Sequence, residues 1–164
     1  MRTRRKWIAV AVAVAVVTGF VWFRYTNGQV LAPFLGWDRY RVSGDAMEPT
    51  MHDGDVFFCE PLDGSEVASL RVGALVVGVV DGREIVKRVV ATAGDTVEGR
   101  DGDLLLNGTA EFADLTAQNE LFDFDVVTVP DGHVFLVGDN FDGSMDSRAF
   151  GPIPDADVQC LVHR

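Results

Sequence analysis

Two hydropathy patterns divide the chain. Trp7 to Phe23 is one uncharged run of 17 residues, whereas from Arg39 onward short apolar stretches are separated by Gly, Asp and Asn with no sustained helical period. A run of that length is at the lower limit of the ~17–25 residues that span a bilayer, and it predicts a transmembrane helix over residues 7–25. The short runs predict strands instead: Asp38 to Val42, Asp55 to Glu60, Ala74 to Val80, Glu84 to Ala93, Thr96 to Glu98, Leu104 to Leu106, Val126 to Val129, His133 to Gly138 and Val158 to His163. Asp81-Gly82 marks a tight hairpin because both central residues of that turn favour positive φ. Asp101-Gly102 and Asn107-Gly108 punctuate another, and Val129-Pro130-Asp131-Gly132 reads as a turn with proline second. The expected domain is mainly β, folded antiparallel sheets or a partly open barrel. The acidic, aromatic stretch Glu111 to Asp125 reads as a surface excursion.

Charge orients these parts. Residues 1–24 hold five basic side chains (Arg2, Arg4, Arg5, Lys6, Arg24) and no acidic one, while the other 140 residues hold nine basic against 25 acidic, a formal charge of about −16. A basic flank keeps the N-terminus cytoplasmic, which puts everything after Arg24 outside the cytoplasm at the cell membrane. Trp7, Trp22 and Tyr25 suit the two interfaces. A cleavable signal peptide is the rival reading, but Phe23-Arg24-Tyr25 stands where a small-x-small site is needed. The expected organisation is a cytoplasmic tail over 1–6, a signal anchor over 7–25, a connector over 26–38 with Leu31, Phe34, Leu35 and Trp37 able to touch lipid, and one extracytoplasmic domain over 39–164. Its acidic surface repels phosphate backbones, so nucleic acid is not an expected partner.

Cys59 and Cys160 are expected as two separate small apolar residues, with a disulfide as the alternative that an oxidising compartment permits. Neither has metal-ligand spacing, and His52, His133 and His163 are isolated, so no metal or other cofactor is expected.

Lysine usage points to chemistry. Against twelve arginines the chain has two lysines, and the only one beyond the tail is Lys87. Arginine serves wherever a positive charge suffices, but an amine that must lose its proton has to be lysine, whose pKa burial can lower. Lys87 sits in the apolar strand Ile85-Val86-Lys87-Arg88-Val89-Val90, where alternation alone does not say whether it points inward or into solvent. The segment Gly138 to Pro152 is dense in turn formers and hydrogen-bonding side chains. Ser144 there offers an acceptor for a buried amine, and an Asp146–Arg148 pair would fix the loop. The plain alternative is an ornate surface loop.

Taken in order, Ser43-Gly44-Asp45-Ala46-Met47-Glu48-Pro49-Thr50, Gly54-Asp55, Lys87-Arg88 with Gly94-Asp95, and Gly138 to Pro152 resemble the motifs of bacterial type I signal peptidases. Each motif alone is weak; four in order behind an anchor are specific. The resemblance implies a membrane-bound endopeptidase of signal-peptidase fold that removes signal peptides from exported preproteins with a serine–lysine dyad. It sets the nucleophile on Ala46, the general base on Lys87, an orienting hydroxyl on Ser144 and supporting roles on Asp146, Arg148 and Arg88. It assigns the oxyanion hole to the Ala46 backbone N–H with Gly44, where a side-chain donor found in some members is missing. The large extra domain of some members is missing too. The implied partners are signal peptides with small residues at the first and third positions before the cleavage site, bound extended in a groove of Arg41, Val42, Ser43, Asp45, Met47, Pro49, Ile85 and Val86.

Alanine at position 46 removes the hydroxyl this chemistry needs, so the chain as it stands is expected to be inactive. Either the alanine was introduced to trap substrate or prevent self-cleavage, or the chain is a natural pseudoenzyme with a chaperone or assembly role. Retention of Lys87 and Ser144 favours the first, since both are costly to bury without function. A peptidase dedicated to conjugation pili fits the same motifs. A self-cleaving repressor would bring a DNA-binding domain in place of the anchor.

Overall fold

The computed structural model describes Thr18 and residues 36–116 and 123–163. The membrane-helix expectation over 7–25 and most of the connector lie outside these residues; among the described ones no helix is long and apolar enough to cross a membrane. Two compact units divide at Trp37, and the second, Asp38–Arg164, carries the fold.

Among the described residues ten strands make two antiparallel sheets. The larger runs in the order β1 (Asp38–Arg41), β2 (Val56–Pro61), β10 (Val158–His163), β3 (Leu75–Val80), β4 (Arg83–Ala91), β8 (His133–Val137), β9 (Ile153–Pro154). The smaller has β5 (Thr96–Arg100) between β6 (Asp103–Leu106) and β7 (Phe124–Thr128). β1 and β9 are free edges, so the larger sheet does not close into a barrel. Short helices α1 (Gly64–Val67), α2 (Ala113–Thr116) and α3 (Ser147–Phe150) sit in the connections.

Turn chemistry sets the register. Asp81 and Gly82 both have positive φ and join β3 to β4 as a two-residue hairpin, the geometry that matches strand twist. Asp101-Gly102 does the same for β5 and β6. Near Pro130 the expectation is off by one residue: His133 N–H donates to Pro130 O, so Asp131-Gly132 form the centre and proline comes first.

The middle strands are apolar on both faces, as buried strands are. In β8, Val134 and Leu136 pack with Val76, Val89 and Ile153, while Phe135 and Val137 face the core shared with the smaller sheet. That second core includes Phe112, with Phe124 packed against it. The supposed surface excursion is therefore anchored at both ends, because its aromatics cover the face of β5 and β6. Cys59 and Cys160 are joined by a disulfide between β2 and β10, correcting the expectation of separate residues. The pairing of Val162 with Cys59 and Cys160 with Pro61 brings the two Cα atoms to 5.4 Å, within bridging reach. The bridge lies in a core cluster with Val42, Met47 and Met51, behind the loop that carries Ala46.

Candidate active site

Residues 43–54 leave β1 and return to β2 as one closed loop. Val42 N–H donates to Asp55 O and Gly54 N–H to Val42 O, shutting the base of the loop. Met51 N–H reaches Met47 O in a single helical turn, and both methionines are buried. Their side chains pin the loop to the core. Across from it, Asn140 donates from its backbone N–H to Ala46 O and from its side-chain amide to Asp45 O, both at 3.2 Å. Gly138 has no room for a side chain: a Cβ there would overlap the Ser144 hydroxyl and the Ala46 carbonyl. The Ala46 loop, the end of β8 and Ser144 thus meet at one point.

A cleft of about 330 Å³ opens beside that point, lined by Tyr40, Arg41, Val42, Ser43, Gly44, Ala46, Met47, Phe57, Val77, Glu84, Ile85, Val86, Lys87 and Met145. Most of the residues expected in the groove are there. Asp45 and Pro49 are not, because Asp45 is held by Asn140 and Pro49 lies in the exposed turn beyond buried Met47. Tyr40, Phe57, Val77, Glu84 and Met145 are beyond that expectation; the stacking of Tyr40 on Phe57, ring centroids 5.6 Å apart, needs the β1–β2 register to be seen. Among the described residues β8 pairs with β4 only from Arg88 onward, leaving the edge of Glu84 to Lys87 unpaired beside the cleft. An unpaired edge is a template for an added strand.

Lys87 is 4% exposed yet lines the cleft. Burial holds its amine below the ordinary lysine value, opposed by Asp146 and Asp139 and assisted by Arg148. The amine itself has no hydrogen-bond partner among the described residues. In contrast, the neighbouring arginines are fully engaged. Arg88 donates to both Asp139 oxygens and, at 2.7 Å, to Gly73 O, with Thr50 at 3.4 Å. Arg148 forks onto buried Asp146, donates to Phe141 O and Ser144 O, and stacks over the Phe141 ring at 5.2 Å. Asp146 also caps α3 through Arg148 N–H and accepts from Gly138 N–H at 2.9 Å. The Asp146–Arg148 pair has the geometry expected of it; the Arg88–Asp139 pair was not foreseen.

Ser144 is close to Ala46, but its hydroxyl bonds neither Lys87 nor anything else: the Oγ is buried with no partner. Gly44 lines the cleft with φ +87°, but its N–H is spent on Asp53. The Ala46 N–H has no acceptor among the described residues. The Gly-Asp motifs turn out to be braces: Asp55 accepts from His52 N–H, and Asp95 accepts from Thr92 N–H and the Asn107 amide. No cluster of three or more His, Cys, Asp or Glu among the described residues has metal-binding geometry.

The family model described as "Signal peptidase, peptidase S26" matches residues 4–163. Signal peptidase I of Bacillus licheniformis is 34% identical over 126 residues, covering 68% of this chain and 66% of that protein. Signal peptidase I of Bacillus amyloliquefaciens is 29% identical over 157 residues, covering 90% and 81%. The probable thylakoidal processing peptidase 2 of Arabidopsis thaliana is 32% identical over 123 residues; 69% of this chain is covered but only 33% of that longer protein. A crystal structure of a signal peptidase I from Enterococcus faecalis superposes with a TM-score of 0.52 at 28% identity, covering 57% of this chain and 97% of that one.

Proposed function

The chain belongs to the signal peptidase family, peptidase S26, a family of serine endopeptidases, and from that premise we propose that its cleft is built to bind signal peptides and cut them with a serine–lysine dyad whose serine is absent here. The carrying observation is the juxtaposition in one cleft of a buried, unbonded Lys87, the Ala46 position and the free edge of Glu84 to Lys87. With serine at 46, neutral Lys87 takes the hydroxyl proton as the oxygen attacks the scissile carbonyl, then returns it to the leaving amine. The unengaged N–H of residue 46 is the donor for the oxyanion, a contribution of about 10²–10³ in rate for one such donor. In the serine form Ser144 orients the amine, through a bond the alanine form lacks; Arg88 and Arg148 hold the surrounding loops through Asp139 and Asp146.

A methyl cannot attack a carbonyl, so the alanine form binds without turning over. The apolar stretch 7–25 anchors it to the membrane with the domain outside the cytoplasm. A buried disulfide in the domain supports that side of the membrane. Incubating the alanine form and Ala46→Ser in detergent with a preprotein whose signal ends in Ala-x-Ala, and following product masses, tests the reading. Cleavage is expected from the serine form alone, and its rate should climb with pH as Lys87 loses its proton, along a limb below the ordinary lysine value of ~10.4. A serine form as inert as the alanine form overturns the dyad and moves the reading to a chaperone or assembly role.

A further inference from the structure

Two residues that line the cleft carry hydrogen-bond donors with nothing to donate to: the Lys87 amine and the Ala46 N–H have no partner among the described residues. Behind them the buried Ser144 hydroxyl is also without a partner. A donor without a partner gains from any acceptor that reaches it, so the site is poised for one. A serine oxygen at 46 would be one; the alanine methyl is not.

Charge narrows the ligand. Around Lys87 stand Arg88, Arg148, Asp139 and Asp146, and each arginine is already matched to one aspartate. A protonated Lys87 is therefore one positive charge in surplus, against walls of Val42, Met47 and Val86. Glu84 carries its charge at the exposed outer end, where it accepts from the Tyr40 hydroxyl. What answers two donors in one cleft and one surplus charge is a carboxylate, with two oxygens and about four acceptor sites. A peptide carbonyl has one oxygen and no charge.

We infer that, with alanine at 46, this cleft captures a peptide by its free C-terminal carboxylate, one oxygen toward the Ala46 N–H and the other toward Lys87, and so prefers cut signal peptides to uncut ones. The inference rests on the signal-peptide reading above and adds to it the end of the ligand that is held.

The test is equilibrium titration of the alanine form in micelles with three labelled peptides sharing one signal sequence ending in Ala-x-Ala: the free acid, its C-terminal amide, and a version extended by several further residues. The free acid should bind at least ~10-fold more tightly than the amide, a difference of about 1.4 kcal/mol. In Lys87→Met that ratio should fall to near one, and millimolar acetate should leave the peptide acid bound. Acid and amide of equal affinity in the alanine form overturn the inference while leaving signal-peptide binding intact. Displacement by acetate at peptide-like concentrations also overturns it, since the carboxylate alone would then be the ligand. If none of the three peptides binds, the reading of the cleft itself falls, and the inference with it.

Discussion

Two adjoining regions treat buried charge in opposite ways. In the segment from Asp139 to Arg148, Asp139 is matched to Arg88 and Asp146 to Arg148, with the arginines making further bonds to carbonyls of residues 73, 141 and 144. At the cleft, Lys87 is buried too, 4% exposed against 1% for Asp139, yet its amine makes none. A fold that gives each arginine several acceptors is not short of them. The difference teaches that the paired region holds geometry while the unpaired one is kept open for a ligand, since a fully satisfied amine could neither accept a proton nor receive a new partner.

The largest expected effect comes from breaking the paired side. Asp146→Ala leaves Arg148 uncompensated, frees Gly138 N–H and removes the cap of α3, so a loss of about 3–5 kcal/mol is expected from the uncompensated partner. Urea unfolding with the disulfide intact measures it. A loss below 1 kcal/mol would mean that the network is ornament and the comparison is void.

Gly138→Ala comes next, because it forces the two regions apart where they touch. The added methyl collides with backbone at Ala46 O as well as with Ser144, and backbone cannot swing aside. Overpacking of this kind costs about 1–3 kcal/mol. The change should also displace the Ala46 loop, so peptide affinity in the alanine form should fall more than stability does. Unchanged affinity would separate Gly138 from the site.

How much of this was readable beforehand depended on range. Local signals were faithful: Asp81-Gly82 gave its hairpin, nine of the ten strands lie on predicted runs, and the scarcity of lysine singled out a side chain that is buried. What depended on register was lost. Alternation could not choose a face for Lys87; opposite Val76 in β3 it shares the inner face with Val89. The Cys59–Cys160 bridge depends on β10 lying beside β2 across 101 residues, and Arg88–Asp139 on β4 meeting β8 at Val137. Strand β9, two residues after a Gly-Pro pair, is too short to have a period. Helix α1 was legible and overlooked: Asp63 and Glu66 form a capping box, a spacing that marks a helix start.

The smallest effect, and the one that sharpens the comparison most, is expected from Lys87→Met. Methionine matches the length of the buried stem without a charge to desolvate. Since burial lowers the folded-state pKa of Lys87, the unfolded chain binds the extra proton throughout the interval between that value and ~10.4, and wild-type stability must rise with pH across it. Below the interval the full penalty is present; above it, none. Methionine has no such slope, so the variant should gain on the wild type as pH falls. Paired unfolding curves from pH 6 to about 10, in which every titrating group but Lys87 is common to the two proteins, isolate this one proton. Parallel pH profiles, or a variant that loses ground at the acid end, would mean that Lys87 has a partner in solution, and the contrast between the two regions would disappear.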